Sequence, residues 1–272
     1  MKEQSHGFGL IPSPYDSRDY GLIMRGNWGN DVQDEFSLGT LEIKDQGSQQ
    51  TCAAHVMSEI IEYHNFKQNG SYSKFSTDFV YGSREPDEYL NEGMYLRDAL
   101  KIINKKGDVL YSDLPGNTDV LTATKKVSSH PELLEKALPN RITSYYKINS
   151  INELKFAIQN HGPVAAGMYW YNHSTLKNGI YTYKHGDEYT GHAVMIVGWN
   201  EKGFIVQNSW GRRWGNQGTF IIPFENLFEE VLFEAYGVTD DINEVKVTSK
   251  KLDWYYRIIN FIVNFFKRKI ML

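Results

Sequence analysis

The sequence predicts an α+β fold with two lobes, in which the first half is helical and the second half is rich in strands. One observation is that apolar residues before position 163 recur at the three-to-four spacing of helices. Another is that short β-branched and aromatic runs, separated by Gly and Asn, follow that position. The length of 272 residues suffices for such a domain with a substantial core.

Three helices are predicted in the first half, and their ends are marked by capping residues. Thr51 is the predicted N-cap of the first helix, and Gly70 ends it. Ser150 and Glu153 form a capping box at the start of the third helix. The predicted helices cover 52–69, 94–106 and 150–161.

Four strands are predicted in the second half. They correspond to the segments VAAGMYW, HAVMIVGW, FIVQNSW and TFIIP. Each is bounded by Gly, Asn or Pro, which is typical of strand ends.

The composition favours a soluble protein. Hydrophobic residues make up 41% and charged residues 23% of the chain, as in ordinary globular domains. A single cysteine rules out a disulfide within the chain, and the start MKEQSHGFGLIPSP lacks the apolar core of a secretory signal. No apolar run reaches the roughly 18 residues of a membrane span. We therefore expect a cytoplasmic or otherwise intracellular protein.

The cysteine stands where the first helix begins. The stretch DQGSQQTCAAH places Cys52 in a first helical turn, where the helix dipole and free N–H groups favour a thiolate, the nucleophilic form. Taken alone, Cys52 is more simply a small buried apolar residue. Nucleophilic chemistry would require a second element that supplies a base.

Two later segments contain candidate partners. His192 lies at the start of an apolar strand, and Asn208 lies in the segment NSWG. An asparagine side-chain oxygen can hold an imidazole in the orientation that lets it share a proton with sulfur. Singly, the histidine is more simply a polar residue at a strand end, and NSWG a tight turn between two strands.

Together these segments resemble the papain-like cysteine peptidases (family C1). The resemblance is carried by DQGSQQTC, GHAVMIVGW and NSWGRRWGNQG and covers about residues 44–240. His192 follows Cys52 by 140 residues and Asn208 follows it by 156, against roughly 130–150 in that family. The resemblance implies a papain-like fold with a helical first lobe, an antiparallel β-barrel-like second lobe and an active site in the cleft between them. The segment GMYLRDALKIINKKGDVLYSDLP resembles bacterial and viral members more than lysosomal cathepsins.

The resemblance implies a role for each matching residue. Cys52 would be the nucleophile, paired as a thiolate with the imidazolium of His192. Asn208 would orient the imidazole, and Trp210 would shield it and contribute to substrate binding. Gln46 would donate its amide to the oxyanion hole. The implied activity is that of a cysteine endopeptidase, which hydrolyses peptide bonds through a covalent acyl-enzyme.

Further residues are assigned to substrate binding by the same resemblance. Gly93 would pair with the substrate backbone two residues before the scissile bond, and Met94 and Ala166 would suit an apolar side chain there. Glu92 replaces a usual glycine and either lines the cleft or is a solvated loop charge. Gly191 is assigned to the same group. No metal site or cofactor is predicted.

The chain departs from the family pattern beside the nucleophile. Gln49 replaces a cysteine that normally forms a disulfide, and Ala53 replaces an aromatic residue. All four predicted catalytic groups are nevertheless present. We therefore expect an active enzyme rather than a catalytically inactive homologue.

Segments on either side of the predicted peptidase domain, 45–240, have their own composition. Residues 1–44 are predicted to be an extended arm, which either plugs the cleft as a short pro-segment or leaves activity to be restrained by location. After a linker at 241–249, residues 250–272 predict an amphipathic aromatic helix. Residues 246–272 carry a net charge of +6, and residues 1–245 carry −10. That helix either packs on the peptidase or docks on an anionic membrane surface or a partner protein, such as a virion component.

Two alternatives to a peptidase remain open at this stage. One is a binding or structural protein that uses a peptidase fold and docks through its C-terminal helix. The other is a thiol acyltransferase or transamidase, which passes the acyl group to an amine. The expected partner is a protein or peptide substrate; the acidic body argues against nucleic acid.

Overall fold

The computed structural model of the chain describes residues 7–16, 32–85 and 92–240. The predicted linker 241–249 and C-terminal helix 250–272 lie outside these residues. The boundaries proposed for the arm, the peptidase domain and the tail therefore stay predictions.

The first lobe is built around one long helix. This helix, α1, covers Cys52–Asn69 and ends at Gly70, whose left-handed conformation (φ 69°) lets its N–H bond the Phe66 carbonyl at 2.8 Å. Thr51 occupies the N-cap position as predicted, but its hydroxyl donates to Asn117 Oδ1 at 2.9 Å and makes no capping hydrogen bond to the helix. The other helices are α2 (Thr77–Gly82), α3 (Leu96–Lys105), α4 (Val120–Ser128), α5 (Glu132–Ala137) and α6 (Ile151–Asn160).

The starts of helices α3 and α6 can be compared with their predicted starts. Helix α3 begins two residues later than predicted, because Met94–Tyr95 form a short strand, β3, that pairs with strand β1 (Leu10–Ile11) of the arm. Helix α6 begins as predicted, with the Ser150 hydroxyl accepting the Glu153 N–H at 3.2 Å.

The second lobe is a nine-stranded, mostly antiparallel sheet. Its order is β4-β11-β5-β8-β9-β10-β7-β6, with β2 paired to β8, and β10–β7 is a parallel pair. The four predicted strands are present as β5, β8, β9 and β10, and this architecture is the α+β two-lobe fold that the sequence predicts. The strands are β2 (Phe36–Ser37), β4 (Ser144–Lys147), β5 (Val164–Tyr171), β6 (Thr175–Lys177), β7 (Ile180–Thr182), β8 (Tyr189–Asn200), β9 (Gly203–Gln207), β10 (Thr219–Ile222) and β11 (Leu232–Thr239).

Strand β8 separates two apolar cores. Its side chains alternate between the faces of the sheet. Ala193 and Met195 join the core shared with helices α1 and α3, whereas Val194 and Ile196 join the core on the opposite face. Helix α1 therefore packs against the strand that carries His192.

A buried ion pair anchors the loop that precedes α1. Lys44 Nζ lies 2.8 Å from Glu62 Oε1 and donates to the Phe75 carbonyl at 3.0 Å. The same Glu62 oxygen accepts the Phe75 N–H at 2.8 Å. The Lys44 carbonyl accepts the Gly211 N–H at 2.9 Å. The anchored Lys44 therefore connects the loop before α1 to the loop that contains Gly211, and both loops flank the candidate site.

We expect Glu62→Ala to lower the free energy of unfolding by about 3–5 kcal/mol, because it leaves the buried Lys44 ammonium without its carboxylate partner. Burial raises the pKa of Glu59 to about 8 and that of Asp108 well above its usual value. Neither Glu59 nor Asp108 is therefore a ready replacement for the Glu62 carboxylate as the partner of Lys44 at neutral pH. Denaturant unfolding at pH 7 measures the loss, and Glu62→Gln, which keeps an acceptor for Phe75, should lose less. Equal stability of the parent and Glu62→Ala would contradict this account.

Candidate active site

The N-terminus of α1 and strand β8 bring the predicted nucleophile beside the predicted base. Cys52 is the first residue of α1 and is fully buried. The backbone N–H of Ala193, the residue after His192, is close enough to its thiol to lower the thiol pKa. Cys52 therefore lies against strand β8 at the residue that follows His192.

An amide fixes the candidate imidazole. His192 Nε2 lies 2.8 Å from Asn208 Oδ1, and both residues are buried. Asn208 Oδ1 also accepts the Ser209 N–H at 2.8 Å, which identifies this atom as the amide oxygen. Because an amide oxygen only accepts hydrogen bonds, His192 Nε2 carries a proton and Nδ1 is the ring atom suited to exchange a proton with sulfur.

Ser209 connects this pair to the predicted oxyanion donor. Its hydroxyl donates to Gln46 Oε1 at 2.5 Å, and its carbonyl accepts the Gln46 N–H at 2.8 Å. With Oε1 engaged, the Gln46 amide directs Nε2 towards the cleft. Ser209 is a site residue that was not predicted, because its partner lies 163 residues away along the chain.

Trp210 shields the imidazole, as the resemblance implies. Its ring stacks on that of His192 with centroids 4.7 Å apart and planes inclined by 29°. Trp170 and Trp214 surround Trp210 with centroids at 4.7 and 5.0 Å. The hydrogen bond between His192 and Asn208 therefore lies under aromatic rings.

The predicted substrate-binding residues divide into three groups. Gly93, Met94 and Gly191 lie against the N-terminal arm: a Cβ on Gly93 would lie 2.4 Å from the Gly9 carbonyl oxygen, and one on Gly191 would lie 2.2 Å from that of Leu10. Glu92 is exposed. Ala166, which was predicted to line the cleft, belongs to the core on the far face of the sheet.

The register of strand β5 explains the difference at Ala166. Side chains of successive strand residues point to opposite faces. Ala165 belongs to the core cluster that also contains Leu10, and Gly167 directly contacts Leu10. The assignment is therefore one residue off, and Gly167 takes the position that was predicted for Ala166.

Residues 7–13 of the arm lie across the candidate catalytic groups. The Gly7 carbonyl accepts a hydrogen bond from Gln46 Nε2 at 2.9 Å. The Phe8 ring packs edge-on against His192 and Trp210, with centroids 5.6 and 5.5 Å away. Further along, the Gly9 carbonyl accepts the Met94 N–H at 2.8 Å.

The covered thiol differs from the thiolate that the resemblance implies. Burial raises the pKa of Cys52 to about 11, although the N–H groups of Ala193, Ala53, Cys52 itself and Leu10 act in the opposite direction. With the arm in place, Cys52 is therefore a neutral thiol at pH 7. Removing the arm would admit water and favour the charged form.

The described part of the chain offers little else that would suggest a different chemistry. Among residues 7–16, 32–85 and 92–240, no cluster of His, Cys, Asp and Glu is arranged to hold a metal ion. Over the same residues, no helix has the length and apolar character needed to span a membrane. The groups that converge are a cysteine at a helix N-terminus, an amide-held imidazole and an amide donor, which together define a thiol-dependent acyl-transfer site.

Comparisons with known proteins agree with this class of site. The family model described as papain family cysteine protease matches residues 30–231. An uncharacterized peptidase C1-like protein of Acanthamoeba polyphaga mimivirus is 26% identical in an alignment of 221 residues that covers 74% of this chain and 70% of that protein. The chain belongs to the papain family of cysteine proteases.

Solved structures show the same fold. Xylellain, a cysteine protease from Xylella fastidiosa, superposes with a TM-score of 0.77 at 24% identity, over 87% of this chain and 97% of that one. Procathepsin B S9 from Trypanosoma congolense gives 0.65 at 15% identity, over 86% of each chain. The predicted similarity to bacterial and viral members is confirmed by Xylellain and by the mimivirus relative.

Proposed function

We propose that this protein is a peptidase that hydrolyses peptide bonds through Cys52 and His192, and that residues 7–13 hold it in a latent state. The observation that carries the proposal is the chain of hydrogen bonds from His192 through Asn208 and Ser209 to Gln46. This chain positions a proton carrier and an oxyanion donor beside a cysteine at a helix N-terminus. Each group that acyl transfer requires is therefore present and oriented.

In the proposed reaction, the thiolate of Cys52 attacks the substrate carbonyl carbon while the imidazolium of His192 holds the thiol proton. Gln46 Nε2 and the Cys52 backbone N–H stabilise the resulting oxyanion. Collapse breaks the C–N bond, and His192 gives its proton to the departing amine. Water then attacks the thioester, His192 accepts its proton, and the acid leaves as the Cys52 thiolate is restored.

The proposed latency follows from the direction of the arm. By resemblance to the family, a substrate pairs with the Gly93–Met94 segment two residues before the bond that is cut. In the arm, the Gly7 carbonyl occupies the oxyanion site, and Leu10, which pairs with Met94, comes after Gly7 in the chain. In a substrate, the residue that pairs with this segment comes before the carbonyl at the oxyanion site. The arm therefore crosses the cleft in the direction opposite to a substrate, and its peptide bonds are not presented for attack.

A mixed peptide library tests the proposed activity. We expect incubation with the full-length Leu10→Ala protein, in which the arm loses its buried side chain, to give new peptide ends, detected by mass spectrometry, and prior treatment with an epoxide label to suppress them. The label should be found on Cys52. Added amine competes with water in acyl transfer, so products that carry amine instead of a free acid would point to a transferase. A protein that neither cleaves peptides nor takes up the label would contradict the proposal.

A further inference from the structure

The residue that precedes strand β3 is held at both ends of its backbone. The Gly93 N–H donates to the Tyr81 hydroxyl at 3.0 Å, and the Gly93 carbonyl accepts a hydrogen bond from Arg84 Nη1. Tyr81 and Arg84 are 1% and 6% exposed, and Gly93 is buried as well. The Gly93 backbone is therefore fixed by two buried side chains, one from the last turn of helix α2 and one from just beyond it.

Tyr81 and Arg84 also hold each other in place. The Arg84 guanidinium lies over the Tyr81 ring, with its carbon Cζ 4.0 Å from the ring centroid, and Arg84 Nε donates to the Tyr81 carbonyl at 3.0 Å. Stacking of this kind keeps the planar group in one orientation. Because the chain has a single cysteine, no disulfide within it can secure the Gly93 segment. We call these two side chains the Gly93 clamp.

The Gly93 clamp determines which backbone groups are offered to the arm. The Gly93 N–H has one hydrogen, and Tyr81 accepts it, so none is left for a strand in the cleft. The next N–H, that of Met94, donates to the Gly9 carbonyl at 2.8 Å. A Cβ on Gly93 would lie 2.4 Å from that Gly9 oxygen, and the φ of Gly93 is 101°, so this close approach requires glycine. The donor that meets the arm is therefore the Met94 N–H.

We propose that Tyr81 and Arg84 are positioning residues for substrate binding, which present the Met94 N–H, instead of the Gly93 N–H, to the substrate backbone. This inference rests on the proposed peptidase function. A substrate strand that replaces the arm meets an edge that is already fixed, so less conformational entropy is lost when it binds. The clamp acts on Gly93 and not on the reacting atoms, so it affects the affinity for substrate and not the chemical step.

Steady-state kinetics test the clamp in the full-length Phe8→Ala/Leu10→Ala protein, in which the arm loses two side chains that pack on the site. Tyr81→Phe removes only the acceptor of the Gly93 N–H, and Arg84→Lys keeps the charge but loses the planar fork. We expect each substitution to raise KM by about 3- to 10-fold, the usual value of one hydrogen bond, with kcat within about twofold. The two together should raise KM by less than the product of the single effects, because both act through Gly93.

The direction of the change in KM distinguishes the two N–H groups. If the substrate used Gly93, Tyr81→Phe would free that N–H and lower KM. A lower or an unchanged KM would therefore overturn the inference.

Alkylation of Cys52 by iodoacetamide separates positioning from a general loss of structure. The reagent is too small to need strand β3, so its rate should be the same with and without the clamp. If alkylation slows as much as kcat/KM falls, the variants have disturbed the whole site and the positioning role fails. Arg141→Lys, at an exposed position, is the matched control and should change neither rate.

Hydrogen exchange tests the clamp without hydrolysis, because the arm itself is bound along Met94. In the full-length protein with its arm unchanged, Tyr81→Phe and Arg84→Lys should speed exchange of the Met94 amide several-fold, followed by NMR, and leave amides in the middle of α1 unchanged. Unchanged exchange at Met94 would count against the inference. Faster exchange in a protein that cleaves no peptide would leave the clamp standing and refute the proposed function. Cleavage with KM and exchange both unaffected by the clamp variants gives the reverse result.

Discussion

Cys52→Ser is expected to reduce kcat/KM for peptide hydrolysis by about 10⁴-fold or more, the range seen when a covalent nucleophile is removed. A serine hydroxyl fills nearly the same volume, but it is far less acidic than a thiol and is a poorer nucleophile for the His192 pair. Progress curves with the best peptide from the library would measure the loss.

The control for this variant is a measurement of folding. Unfolding of Cys52→Ser should match that of the parent, because the substitution opens no cavity in the core beneath α1. Hydrolysis at the parental rate by a correctly folded Cys52→Ser protein would show that the nucleophile is assigned to the wrong residue.

Leu10→Ala is expected to raise the rate of peptide hydrolysis by about 10- to 100-fold at low substrate concentration. Burying a leucine side chain contributes roughly 1.5–3 kcal/mol, and each 1.4 kcal/mol is a tenfold change in an equilibrium. The lost burial therefore shifts the arm from its bound to its displaced position. Initial rates of the two full-length proteins measure this change.

Tyr15→Ala is the matched control, because Tyr15 lies on the same arm and is 92% exposed. It should leave the rate near that of the parent. If Leu10→Ala and Tyr15→Ala hydrolyse peptides equally fast, and both remain folded, the arm does not limit access to Cys52.

The sequence predicts best those features that depend on neighbouring residues. The bounds of α1 follow from its apolar periodicity and from Gly70, and the start of α6 follows from Ser150. Helix α4 was not predicted, because its nine residues include Val and Thr, although Asp119 caps it by accepting the Thr122 N–H at 3.0 Å. That capping signal was available in the sequence.

Features that depend on distant partners were harder to predict. Thr51 is a residue type that commonly caps helices, but its hydroxyl donates a hydrogen bond to Asn117 instead. The strand register at Ala166 is set by pairing with β8 and β11, which the residue pattern alone does not define. The spacing of Cys52, His192 and Asn208 suggested a site. The contact of Ser209 with Gln46 and the path of the arm join residues that are distant in sequence, so the residue pattern did not predict them.

The arm of this protein is joined to the site that it covers, and this attachment changes how substrates compete with it. A tethered segment acts at an effective concentration of roughly millimolar order, whatever the concentration of the protein. Dilution does not release it. A peptide must therefore outcompete it by affinity or by abundance, so that the apparent KM rises while the maximal rate is preserved. Such an enzyme would hydrolyse peptides slowly at low substrate concentration and reach its full rate only where the local substrate concentration is high.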